Sequence, residues 1–108
     1  MSRRVILMPR AELDIERNAL WWRRHRSSDE ADRWYLAIYA AIAKLAENAD
    51  SHPLAYENDK VLFTIRQLNF GVSSKKTHRV VYEVTDEDVR VFAVRHLAQD
   101  ELPPSELI

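Results

Sequence analysis

The chain has 108 residues, 46% hydrophobic and 31% charged, with a net charge of -1. That is one domain with a core of its own, too apolar to be disordered and without an apolar run long enough to span a bilayer. The absence of cysteine excludes disulfides, thiolate metal sites and cysteine nucleophiles, and a single glycine, Gly71, excludes P-loops and dinucleotide fingerprints.

Arg4 to Met8 contains Val5 and Ile6 and predicts a short strand, stopped by Pro9. Proline is tolerated in a first helical turn, where its missing N–H costs nothing. From there Ala11, Ile15, Ala19 and Trp22 recur at helical spacing, with acids early (Glu12, Asp14, Glu16) and bases late (Arg23, Arg24, Arg26), as a helix dipole favours. Ser27 to Glu30 has the form of a capping box. The second helix carries a wide apolar stripe of Ala31, Trp34, Tyr35, Ile38, Ala41, Ile42 and Leu45. The short connection at 26–28 predicts an antiparallel helical hairpin. Residues 49–59 read as a loop.

The period then changes to two. Val61 to Leu68 is a β-rich run, and 71–76 is a loop. Arg79 to Val84 alternates, with Val80, Tyr82 and Val84 on one face and Arg79, Val81 and Glu83 on the other. After an acidic turn at 85–88, Val89, Val91, Ala93 and Arg95 are expected opposite Arg90, Phe92, Val94 and His96. The prediction is a single α+β domain over 1–108, ordered β-α-α-β-β-β: an N-terminal strand, a two-helix hairpin, and a three-stranded antiparallel meander. The hairpin covers one face of the small sheet, leaving the other partly open. Pro103 and Pro104 end regular structure, so the acidic tail at 98–108 is expected to be loose.

Charge is uneven along the chain. Residues 60–97 carry seven Lys/Arg and four Asp/Glu, whereas the tail carries three acids and no base. Arg66, Lys75, Lys76, Arg79, Arg95 and His96 all fall on strands or on the loop between them. If they converge at one sheet end, they form a site for phosphate or an anionic partner. A lone sheet arginine more often pairs with a carboxylate or lies along apolar surface. His96 beside Arg95 is a candidate general base, although a structural histidine is commoner. The other histidines are scattered, so no metal site is expected. Tyr82 reads as core. Trp21, Trp22 and Trp34 read as hairpin packing rather than base-stacking platforms. Glu57 precedes the sheet with no evident partner.

The stretch Arg79-Val-Val-Tyr-Glu-Val, a Thr-Asp-Glu-Asp turn, then Val89-Arg-Val-Phe-Ala-Val-Arg-His96 resembles the RelE/ParE superfamily of type II toxin–antitoxin toxins. Pro9-Arg-Ala and the helical stripe resemble that family's first helix and hairpin, and His52-Pro-Leu-Ala-Tyr-Glu57 with Ile65-Arg-Gln-Leu-Asn-Phe-Gly71 is similar to a segment of members described as plasmid stabilisation proteins. The resemblance implies the same fold, no cofactor, a cytoplasmic protein that inhibits growth, and an antitoxin partner. It implies two targets. RelE-like members cleave messenger RNA on the ribosome, and ParE-like members poison DNA gyrase. For cleavage, Arg79 matches the sheet arginine that steadies charge on the phosphate, with Arg66 and His96 assisting and Lys75 or Lys76 contributing from the loop. Gln99 stands where that branch often has another arginine, and no tyrosine follows Tyr82. The expected reading is therefore ParE-like, with a ribosome-dependent ribonuclease and a non-toxic antitoxin-binding relic as alternatives. DNA contact is expected only through an antitoxin complex.

Overall fold

A computed structural model describes residues 2–99 and 101–107. The elements are β1 (Arg4–Leu7), α1 (Pro9–His25), α2 (Ser28–Ala43), α3 (Leu45–Asn48), β2 (Ile65–Phe70), β3 (His78–Val84) and β4 (Asp88–His96). The sheet order is β1-β4-β3-β2. Strands β2, β3 and β4 form the expected antiparallel meander. β1 adds to β4 in parallel, so the sheet is mixed.

β1 pairs only with the first half of β4, from Arg4↔Asp88 to Leu7↔Val91. The rest of that edge would leave strand N–H groups unpaired. Helix α1 supplies a substitute. The Asp14 carboxylate, buried on α1, accepts the Val94 N–H at 3.0 Å. Met8 leads into α1, with Pro9 in its first turn. Ala11 and Ile15 are fully buried, with Ala19 and Trp22 packed beside them. At the hairpin turn, Ser27 Oγ accepts the Glu30 N–H at 3.0 Å, which caps α2. The Glu30 carboxylate turns instead to Arg26 at 3.1 Å, so only half of the capping box forms. Ala31, Trp34, Ile38 and Ile42 from α2 and Leu45 from α3 complete the helical side of the core.

On the sheet, Val80 and Tyr82 face the helices and Val81 faces away, as alternation requires. The alternation expected for β4 fails after Val91. Tyr82 pairs with Val91 but Val81 pairs with Ala93, so Phe92 is an extra residue in a β-bulge. Phe92 and Ala93 both join the second apolar cluster, and Val94 returns to the helical side. The bulge thereby exchanges the faces of every residue after it. His96 moves to the helical side, and Arg95 stands beside Arg79 in the ladder.

The sheet face expected to be open is covered. Ile65, Val81, Phe92 and Ala93 pack there with Ala55, Leu102 and Leu107, flanked by Met8, Val61 and Phe63. The tail expected to be loose does much of this covering, with Leu102 and Leu107 almost fully buried. An apolar sheet face must be removed from water, and these two leucines come from the segment that can reach it. Acids of the tail hold it in place. Glu106 accepts from Arg10 at 2.7 Å, and Glu101 pairs with Lys60. The run from Val61 begins its strand only at Ile65, because 53–63 folds over the same face. Gly71 closes the β2–β3 loop, where a Cβ would collide with the Lys75 carbonyl.

Candidate functional site

The residues expected to converge are divided by the sheet. Arg79 is completely buried on the tail side. Its Nη1 donates to Glu57 Oε1 at 2.8 Å and its Nη2 to Glu57 Oε2 at 2.5 Å. Nη1 also lies 3.3 Å from Gln67 Oε1, and the Tyr56 ring lies 4.7 Å from the guanidinium carbon. Glu57, equally buried, takes a third hydrogen bond from the Leu102 N–H at 2.7 Å. Burial pushes the Glu57 carboxyl up, but the hydrogen bonds from Arg79 and Leu102 and the Arg79 charge outweigh it and hold the group below its ordinary value. Glu57 thus has the partner the sequence did not reveal. The pair ties the 53–63 loop, β3 and the tail together, and it presents no guanidinium to a ligand.

Arg66 stands opposite Tyr82 on the helical side, donating to the His52 carbonyl at 2.7 Å. Tyr82 is core, its hydroxyl donating to the Ala49 carbonyl at 2.7 Å. Lys75 and Lys76 are exposed on the β2–β3 loop. Arg95 is half-buried at the end of β4. Arg79 therefore lies on the opposite face of the sheet from Arg66 and His96.

His96 is exposed, and its Nδ1 accepts the Ala98 N–H at 3.1 Å. A neutral ring holding that bond carries its proton on Nε2. Beside it, His78 is buried in a fully determined chain. Asn18 Nδ2 donates to the Asp14 carbonyl at 2.7 Å, which leaves Asn18 Oδ1 to accept from His78 Nε2 at 3.0 Å. His78 Nδ1 accepts from Thr77 Oγ1 at 2.8 Å. Burial and the nearby His96 push His78 down to about 4.

A surface groove runs past these histidines. Its centre is a cleft of about 410 Å³ lined by Asn18, Trp21, Trp22, Thr77, His78 and His96. On one side it shares Trp22 and Thr77 with a cleft bearing Arg26, Arg33 and Lys75. On the other it shares Asn18 and Trp21 with a cleft bearing Arg17, Arg95 and Gln99. Trp34 and Trp22 do pack the hairpin, but Trp21 is 51% exposed and stacks on His25 at 4.7 Å. Arg17 and Arg33 escaped the sequence reading because they lie on the outward faces of the helices, where charge looks like ordinary surface, and Trp21, expected to pack the hairpin, is exposed instead. Among the described residues, no group of three His, Asp or Glu side chains could hold a metal ion. No helix among the described residues is long and apolar enough to cross a membrane.

A helical hairpin on a four-stranded sheet, with a short parallel edge strand and a clamped tail, defines a small α+β domain of the RelE/ParE toxin architecture. The sequence matches the ParE toxin of type II toxin-antitoxin system family, parDE, over residues 5–101. The chain belongs to that family. Its fold is similar to a chain of the chromosomal ParDE toxin-antitoxin system from P. aeruginosa, with a TM-score of 0.71 and 10% identity, covering 88% of this chain and 96% of that one. No curated protein matches the sequence.

Proposed function

We propose that the chain is a growth-inhibiting toxin, neutralised by a cognate antitoxin, that acts on a protein target of the DNA gyrase kind and does not cleave RNA. The observation that carries the reading is the state of Arg79. An arginine that steadies charge on a reacting phosphate must be able to reach it. Arg79 instead has both terminal nitrogens on Glu57 and no exposed surface.

The antitoxin belongs on the hairpin. The tail already fills the sheet face, whereas Leu13, Leu20, Tyr35 and Leu36 remain exposed on the helices. Exposed apolar side chains on paired helices suit an amphipathic partner segment that folds on binding. The test is a gyrase supercoiling assay on relaxed plasmid with the purified chain. Inhibition, with accumulation of gyrase-cleaved DNA and relief by the antitoxin, is the expected result. Undisturbed supercoiling by an excess of toxin that still arrests cells would remove gyrase as the target.

A further inference from the structure

We infer that the groove past Trp21 binds single-stranded nucleic acid, a base stacking at its centre and phosphates held at its two ends. The inference goes beyond the proposed target and does not depend on it.

The end of the molecule formed by the hairpin turn, the β2–β3 loop and the close of β4 carries Arg17, Arg23, Arg24, Arg26, Arg33, Lys75, Lys76 and Arg95. Asp14, Glu16, Asp29, Glu30 and Asp32 oppose them there, giving about +3 in a chain whose total is -1. Arg26 is engaged by Glu30 and Arg23 lies 3.8 Å from Asp32. Arg17, Arg24, Arg33, Lys75 and Lys76 are exposed and pair with no carboxylate among the described residues. Near-neutral total charge therefore conceals a polar molecule, and a polyanion is drawn to this end.

The chemistry of the groove changes in order along its length. Cations occupy both ends, and the central cleft between them is lined by two indoles and two imidazoles. Its volume of about 410 Å³ admits a nucleobase. Trp21 is held in place by the stacked His25, whose Nδ1 lies 3.0 Å from the Trp21 carbonyl. A fixed exposed indole flanked by arginines is the arrangement on which unpaired bases stack. An acidic peptide would use the cations but would leave the aromatic centre without a matching group.

The experiment is fluorescence anisotropy with labelled 12-mers of oligo(dT) and oligo(rU), a 12-base-pair duplex and an oligoglutamate peptide. Both single strands are expected to bind ahead of duplex and peptide. For four phosphates neutralised, affinity should fall about 50-fold between 50 and 200 mM salt. Trp21→Ala should weaken binding roughly five- to a hundredfold while still unfolding in a single cooperative melt. Arg17→Gln combined with Lys75→Gln should flatten the salt dependence. Equal binding by wild type and Trp21→Ala, preference for duplex or oligoglutamate, or no binding at 50 mM salt would each overturn the inference. Gyrase is absent from the assay, so its result is separate from that of the supercoiling test.

Discussion

Arg79 and Glu57 make the one fully buried ion pair among the described residues. Removing one partner leaves the other charge buried and uncompensated, which costs about 3–5 kcal/mol. Glu57→Ala should therefore lower the urea midpoint sharply, and a loss under 1 kcal/mol would show that the pair is not a structural tie. Because its folded value is depressed, Glu57 contributes fully above the ordinary carboxyl value of 4.5, and that contribution is lost as pH falls through the lower folded value. His78 acts at higher pH. Its folded value of about 4 lies below the ordinary 6.5, so the unfolded chain takes up a proton first. Stability should fall by roughly 3 kcal/mol as pH drops from 7 to 4. His78→Gln should flatten that slope in denaturation curves taken at each pH, and an unchanged slope would assign it elsewhere. The sequence placed Arg79 on the same strand face as Val81, and the structure agrees. It could not show that this face is buried, because the partner is 22 residues away in a loop.

Among the elements, those governed by local rules were legible. Helical spacing found α1 and α2, and Ser27 was recognisable as a cap from its position before Glu30. Ser27→Ala should cost about 1 kcal/mol, read from chemical denaturation, and a neutral result would deny the cap its role. What was hidden depends on tertiary contact. No residue pattern announces the bulge at Phe92, since Val91, Phe92, Ala93 and Val94 suit either face. Yet the bulge decides that His96 meets His78 across the ladder on the helical side, their ring centroids 5.2 Å apart. The tail was likewise misread, because two prolines and three acids look like solvent-exposed chain. Its two buried leucines are the anchoring groups. Leu107→Ala should cost about 2–5 kcal/mol, and a value near zero would mean that the tail does not cover the sheet in solution.

At the scale of the molecule, the fold separates charge that the sequence mixes. Glu101 and Glu106 of the tail pair with Lys60 and Arg10, while unpaired cations gather at the hairpin turn and the β2–β3 loop. The sequence located a cationic second half but missed the contribution of α1 and α2, because residues 17–33 are brought beside Lys75 only by folding. The buried arginine and the divided basic residues support the central proposal, that this ParE-family toxin does not work by cutting RNA. The direct test maps RNA 5′ ends across the transcriptome shortly after the protein is induced without its antitoxin. Growth arrest with message ends unchanged is the predicted result. New ends at fixed codon positions in translated messages would contradict it.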